Sequence, residues 1–215
     1  MYKKKSLFIV FEGIEGCGKS YQSKKLYKSI KKKGFSVILT REPGGTKSAE
    51  KIRDLILKDY FSKTSKEKFH KYTDTLLYLA ARNEHIQNKI GKYISKKSII
   101  ICDRFIDSTL AYQVYGKGVD KKFVDLIHKK ILGKLKPDIT FLLKVKIGKA
   151  LERLKKRKKK NRYDKFYKNF YIKAQKSFIK IAKKNKNSHV VLNSSLDNHE
   201  LEDQILNIVL KKLRK

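Results

Sequence analysis

Apolar residues are grouped in two different rhythms along the chain. Ser6 to Phe11, Ser36 to Thr40, Ser98 to Cys102, Asp138 to Val145 and His189 to Leu192 are short runs rich in valine, isoleucine, leucine and phenylalanine. Such runs read as buried strands. Between them, apolar residues return at three- and four-residue spacing, the mark of helices with one buried face. Strands buried on both faces and alternating with helices imply a parallel sheet with right-handed crossovers. The expected fold class is therefore α/β, with five parallel strands flanked by helices on both faces. Ligands of such sheets gather beyond the carboxyl ends of the strands, so the residues after each run are where chemistry is sought.

The 215 residues suit one hydrophobic core better than two. No Pro/Gly/Ser-rich linker and no repeat divides them, so a single domain, 1–215, is expected. The low-complexity stretch Lys155 to Lys160, "KKRKKK", reads as a mobile charged excursion within it. No apolar run approaches bilayer length. Lys3-Lys4-Lys5 before Leu7 to Phe11 resembles the start of an export signal, but Glu12 ends the run after five residues. Two cysteines, Cys17 and Cys102, make no disulfide framework, and a cytoplasmic location is expected.

A formal charge of +35 invites a nucleic-acid reading, yet 47 of the 55 basic residues are lysines strewn along every helix. Dispersed lysine is the expected content of tolerant, solvated surface positions, so no specific nucleic acid is expected. The bias makes the eight arginines informative. Where lysine is the default cation, arginine marks places that need a planar, bidentate fork.

The residues Gly13-Ile14-Glu15-Gly16-Cys17-Gly18-Lys19-Ser20 follow the first strand and precede a helical pattern. They fit the phosphate-binding pattern G-x-x-x-x-G-K-[ST]. Its glycines turn backbone N–H groups inward around a polyphosphate, the lysine reaches the outer phosphates, and the hydroxyl serves a magnesium ion. The triphosphate of a nucleotide is thus the expected anion, with Ser20, and Asp103 after the third strand, as metal-binding positions. "TREPGG", Thr40 to Gly45, and Asp103-Arg104-Phe105 end two other strand candidates and lie at the same edge. Cys17 is read as an inert packing residue.

Together, "FEGIEGCGKS", "TREPGG", "LLYLAAR", "DRF" followed by "DSTLAYQVYGKG", and the basic stretch before "NRYDKF" resemble the thymidylate kinases over nearly the whole chain. The resemblance implies P-loop nucleoside monophosphate kinase architecture, transfer of the ATP γ-phosphoryl group to dTMP with Mg²⁺, and a homodimer. It implies that Tyr78 stacks on thymine while Arg82, four residues on, donates to a base carbonyl. Arg104 would hold the dTMP phosphate, with Arg41 and Arg53 nearby and Pro43 in the same pocket. Ser108 and Thr109 would offer hydroxyls, Tyr112 would pack under C2′ with Gln113 beside it, and Glu15 would accept from the 3′-OH.

One branch of the family carries an arginine where this chain has Gly16. The bacterial type instead supplies its cation from a lid, here about 153–164, whose arginines are Arg153, Arg157 and Arg162. Catalysis is therefore expected from Lys19, Arg104, Asp103 and these lid arginines. Lys158 and Asn161 depart from the family's lid glycine and aspartate, and Phe178 replaces a frequent tyrosine. The alternatives are a P-loop kinase for another nucleotide or deoxynucleoside, and a basic nucleic-acid-binding NTPase.

Overall fold

The structure, a computed structural model, describes residues 6–58, 68–156, 167–195 and 198–214. Five strands form one parallel sheet: β1 (Leu7–Glu12), β2 (Val37–Arg41), β3 (Ile99–Asp103), β4 (Ile139–Lys144) and β5 (His189–Asn193). Their order across the sheet is β2-β3-β1-β4-β5. All five agree with the apolar runs to within a residue or two at their ends. β1 shows why: Leu7, Ile9 and Phe11 enter one core cluster, whereas Phe8 and Val10 enter another with Ile100, Cys102 and Phe105. The side-chain period of two sends successive residues to opposite covered faces, so an unbroken apolar run is what such a strand requires.

The connections are helical. Helix α1 (Lys19–Lys32) follows β1; α2 (Lys47–Leu57) and α3 (Lys71–His85) lie between β2 and β3. The chain continues from α3 through a π-helical turn, Ile86–Ile90, into α4 (Gly91–Ser95). After β3 come α5 (Ile106–Thr109), a second π-helical turn Leu110–Val114, α6 (Tyr115–Lys117) and α7 (Lys121–Leu132). Helix α8 (Ile147–Lys155) follows β4, α9 (Lys168–Lys184) precedes β5, and α10 (Asn198–Arg214) completes the described chain.

The larger core cluster packs β1, β3 and β4 against α1, α8, α9 and α10, with Phe11 and Phe141 at 5.3 Å between ring centroids. Each large apolar side chain buried here contributes about 1.5–3 kcal/mol. The sheet register pairs both Phe11 and Arg41 with Asp103, so β2, β3 and β1 end level. That level edge carries the chain into the glycine-rich turn, "TREPGG" and "DRF". Both cysteines are buried and free.

Candidate active site

The turn after β1 is shaped by backbone before side chains. Gly13, Gly16 and Gly18 have φ of 136°, 73° and 95°, in the region that L side chains rarely adopt. A Cβ on Gly13 would stand 2.7 Å from the Leu143 carbonyl oxygen, and one on Gly16 would stand 2.5 Å from that of Ala150 in α8. The turn is thus clamped between β4 and α8. Lys19 Nζ, almost wholly buried, donates to the carbonyls of Gly13 at 3.0 Å and Ile14 at 2.8 Å. Arg153, from α8, donates to the Gly16 carbonyl at 3.1 Å and to Ser194 O at 3.4 Å.

At the mouth of this turn the Ser20 hydroxyl donates to the Asp103 carboxylate. No group of three or more His, Cys, Asp or Glu able to hold a metal exists among the described residues. The Ser20–Asp103 pair supplies two hard oxygens, which fits magnesium, since that ion takes one or two protein carboxylates and completes its shell with water and phosphates.

Beside the turn stands Arg104, a non-glycine residue with φ of 75°. Strained backbone of this sort persists only where its surroundings over-determine it. Those surroundings are visible. The Arg104 N–H donates to Phe11 O at 2.9 Å, and the guanidinium donates to Gly13 O at 3.0 Å, Ser108 Oγ at 2.9 Å and Glu15 Oε1 at 2.8 Å. Burial opposes its charge, but Tyr112, Glu15, Asp103 and Glu12 together raise its pKa well above the ordinary arginine value. Glu15 spans two partners, accepting from the Tyr112 hydroxyl at 2.6 Å through its other oxygen. Burial alone would raise Glu15, yet Arg104 and then Lys19 hold it below the usual carboxylate range.

Glu12, the last residue of β1, is fully buried and braces the "DRF" segment from below. It accepts from Phe105 N at 2.7 Å, Ser108 N at 3.2 Å and Ser108 Oγ at 2.6 Å. Burial and then the charge of Asp107 push its pKa up to about 7, against the pull of Arg104 and these hydrogen bonds. Its sequence signal was present in "FEG", but nothing in the motif distinguishes a brace from a strand residue.

The opposite wall is a buried ionic network. Arg82 on α3 donates through Nε to Glu42 Oε2 at 2.7 Å, through Nη1 to Thr109 Oγ1 at 2.9 Å and His128 Nε2 at 2.6 Å, and through Nη2 to Phe105 O at 2.8 Å. Four of its five N–H donors are thus engaged with protein among the described residues. Since arginine only donates, His128 Nε2 accepts and its proton sits on Nδ1. Burial, then Arg82 and Lys121, drive the His128 pKa down to about 3, so the ring is neutral. Glu42 also holds His85 Nδ1 at 3.0 Å, and His85 Nε2 meets Thr40 Oγ1 at 2.7 Å. Burial works against the Glu42 carboxylate, and Arg82 and His85 outweigh it, lowering its pKa. Glu42 lies inside "TREPGG" and His85 one turn after Arg82, but His128 sits on α7 with no motif around it. Sequence patterns assigned a role to none of the three.

Arg41 and Arg53 stand at the rim. Arg41 Nη2 donates to Glu50 Oε2 at 2.9 Å, and Arg53 Nη1 to the Pro43 carbonyl at 2.6 Å. Glu50, whose other oxygen accepts from Gly45 N at 2.9 Å, ties the "TREPGG" turn to α2.

These walls enclose one cavity of about 530 Å³. Of the residues singled out from the sequence, Glu15, Gly16, Gly18, Lys19 and Ser20 line its donor end, with Arg153 and Asp103. Arg41, Pro43, Arg53, Tyr78, Arg82 and Arg104 line the other end, together with Ser108, Thr109, Tyr112 and Gln113. Gly13, Ile14 and Cys17 shape the turn without bordering the cavity. Arg157 and Arg162 lie outside the described residues.

Comparison with known proteins identifies the family. The family model for thymidylate kinase matches residues 11–205. A thymidylate kinase of Wolbachia pipientis from Culex pipiens is 40% identical over 211 residues, 96% of this chain and 97% of its own. One from a Sulfurihydrogenibium species is 38% identical over 199 residues, 93% of this chain and 94% of its own. The crystal structure of thymidylate kinase from Ehrlichia chaffeensis superposes with a TM-score of 0.75 at 30% identity, covering 95% of this chain and 99% of that one. The chain belongs to the thymidylate kinase family.

Proposed function

We propose that this cavity at the carboxyl edge of the sheet is where the chain performs its family's reaction, ATP-dependent phosphorylation of dTMP to dTDP. One observation carries the assignment of this site: the glycine turn with Lys19 and Ser20 borders the same space as Arg104, Arg53, Tyr78 and Arg82. Donor and acceptor phosphates can therefore meet within one cavity.

At the donor end, the amides of Gly13 to Ser20 cradle the ATP phosphates at the N-terminus of α1, and Lys19 supplies a cation within hydrogen-bond reach of the turn. Ser20 and Asp103 are the residues that would hold magnesium, whose chemistry when bound is to neutralise the β- and γ-phosphate oxygens. At the acceptor end, Arg104 grips the dTMP phosphate with Arg53, and Arg41 supports the rim through Glu50. Tyr78 stacks on thymine, and Arg82, which borders the same pocket, donates to a base carbonyl. Tyr112 closes the space under C2′, and Glu15 accepts the 3′-OH while retaining Arg104. Gln113, Ser108 and Thr109 complete the wall. The acceptor phosphate is already anionic, so Asp103 is an orienting group and not a strong base.

Arg153 rests on the Gly16 carbonyl and borders the cavity, where it supplements Lys19. Arg157 and Arg162, assigned from sequence to the lid at about 153–164 of a single domain, bring the remaining cation to the transferring group. Gly16 is not replaceable by an arginine here, because α8 closes on it. A homodimer in the cytoplasm completes the proposal. Support for self-association comes from Leu55, Leu76 and Leu126, exposed at 43%, 47% and 61% on the neighbouring helices α2, α3 and α7. Among the described residues, no helix is long and apolar enough to cross a membrane.

The test is ADP release by purified protein with ATP and magnesium, offered dTMP, dUMP, dCMP or GMP in parallel. dTMP is expected to give the highest kcat/KM. Brisk turnover of dCMP or GMP beside an inert dTMP overturns the substrate assignment while leaving the fold intact.

A further inference from the structure

Tyr112 is held by more contacts than a pocket-lining ring requires. Its hydroxyl is fixed on Glu15, the Arg104 guanidinium lies over its ring at 5.4 Å, and Phe178 meets it edge-on at 5.7 Å and 81°. A fourth contact differs in kind. The ring of Phe170 is stacked on it, with centroids 5.7 Å apart and planes only 14° from parallel. Phe178 is core, 1% exposed, and restrains Tyr112 along its rim. Phe170 is half-buried in the first turn of α9, and it is the apolar neighbour that, with the Arg104 guanidinium over the ring, resists movement of Tyr112 along its own normal. That normal is the direction in which a ring under a sugar must yield to admit an extra oxygen.

The surroundings of Phe170 hold it in place. Gly116 on α6 lies against it, since a Cβ there would be in ordinary van der Waals contact with Phe170 Cε2 at 3.4 Å. Tyr171, fully buried next to it, meets Phe170 edge-on at 6.0 Å and anchors this end of α9 in the core. Tyr112 itself rides on the π-helical turn Leu110–Val114, an irregularity of the kind that recurs at functional sites because it re-aims side chains.

We propose that Phe170 is a positioning residue that determines sugar specificity: its flat ring backs Tyr112, fixes how deeply that ring sits, and so limits the space at C2′ to deoxyribose. The inference rests on the placement of Tyr112 under the sugar given above. It acts through Tyr112, and Phe170 itself need not touch substrate.

The experiment compares kcat/KM for dTMP and for its ribose counterpart in the parent, Phe170→Leu and Phe170→Tyr. Leucine removes the flat face and leaves deformable methyl groups, so the deoxyribose-to-ribose ratio is expected to fall by about tenfold, the worth of one aromatic contact. Most of the change is expected in KM for the ribonucleotide, with KM for ATP unmoved. Phe170→Tyr keeps the ring and is expected to retain the parent ratio. A merely structural role would lower both substrates together, and a ratio within about twofold of the parent in folded Phe170→Leu overturns the proposal. Should Phe170→Leu not fold, Phe170→Met, flexible and without a ring, carries the same expected and overturning outcomes. A parent that uses both sugars equally overturns the placement of Tyr112 and this inference with it. A parent inert on dTMP fails the substrate assignment, a result distinct from an unchanged ratio.

Discussion

The two ends of the cavity are built on opposite principles. The donor end is contiguous: eight residues, three left-handed glycines and the first turn of α1 form it, and its cations lean on carbonyls of the same turn. The acceptor end is assembled from distant segments, with Glu42, Arg82, Phe105, Thr109 and His128 meeting in a buried ionic network. Backbone amides need only the right dihedrals to face an anion, so the first end tolerates almost any neighbour that leaves room. A buried guanidinium needs a counter-charge and acceptors for its donors, so the second end is weakened if a partner is lost. Geometry is thus the weak point of one end and charge balance that of the other.

The largest expected effect probes the donor end. Arg157→Ala combined with Arg162→Ala should lower kcat for dTMP by about a thousandfold, the usual worth of a cation delivered to a transferring phosphoryl group. Adding Gly16→Arg should restore nothing, because the new Cβ would stand 2.5 Å from the Ala150 carbonyl. A double variant within a few-fold of the parent would remove the lid cations from the mechanism; restored turnover in the triple variant would show that α8 yields.

A smaller effect is expected at the acceptor end. Glu42→Gln leaves Arg82 buried without its counter-ion and should cost about 3 kcal/mol in chemical denaturation. KM for dTMP should rise well before KM for ATP does, because Arg82 and Thr109 line the acceptor pocket. Equal changes in both would erase the distinction between the two ends.

The smallest effect sharpens the comparison through pH. The folded pKa of His128, about 3, lies below its unfolded value of 6.5, so its contribution to stability is present above 6.5 and fades as pH falls towards 3. Between pH 7.5 and pH 5 that loss amounts to about 2 kcal/mol. Glu12, raised from 4.5 to about 7, acts with the opposite sign: its contribution is present at low pH and lost as pH rises through 7. The parent's own profile mixes the two. Hence the readout is the difference between parent and His128→Gln, whose amide oxygen can still accept from Arg82. The variant should lose about 2 kcal/mol less on acidification, and identical slopes would refute a neutral, buried His128.

Much of the site was legible because its residues sit in runs. The strand positions followed from unbroken apolar runs, which two covered faces require, and the carboxyl edge followed from strand direction. Ile14 was legible as part of a phosphate turn but not as a residue that stays outside the cavity, whereas Cys17 was read as a packing residue and is buried. Arg82 was legible as a pocket residue but not as the hub of a network that spends four of its donors on protein. His128 was illegible, since a histidine on an amphipathic helix has no pattern that separates a core acceptor from a surface group. The Glu12 brace was hidden for a similar reason, since a carboxylate at a strand end reads the same whether it meets ligand or backbone.

By itself, the order of residues determined which dihedrals the first strand–helix junction can adopt, which faces of five strands are apolar, and where arginine displaces lysine. These are local matters, settled by sterics and by period. Only the tertiary structure decided which carboxylate neutralises which guanidinium, that α8 seals Gly16, and that an aromatic ring from α9 lies flat on Tyr112. Burial converts a modest preference for a partner into a requirement, and burial exists only once distant segments have closed around one space.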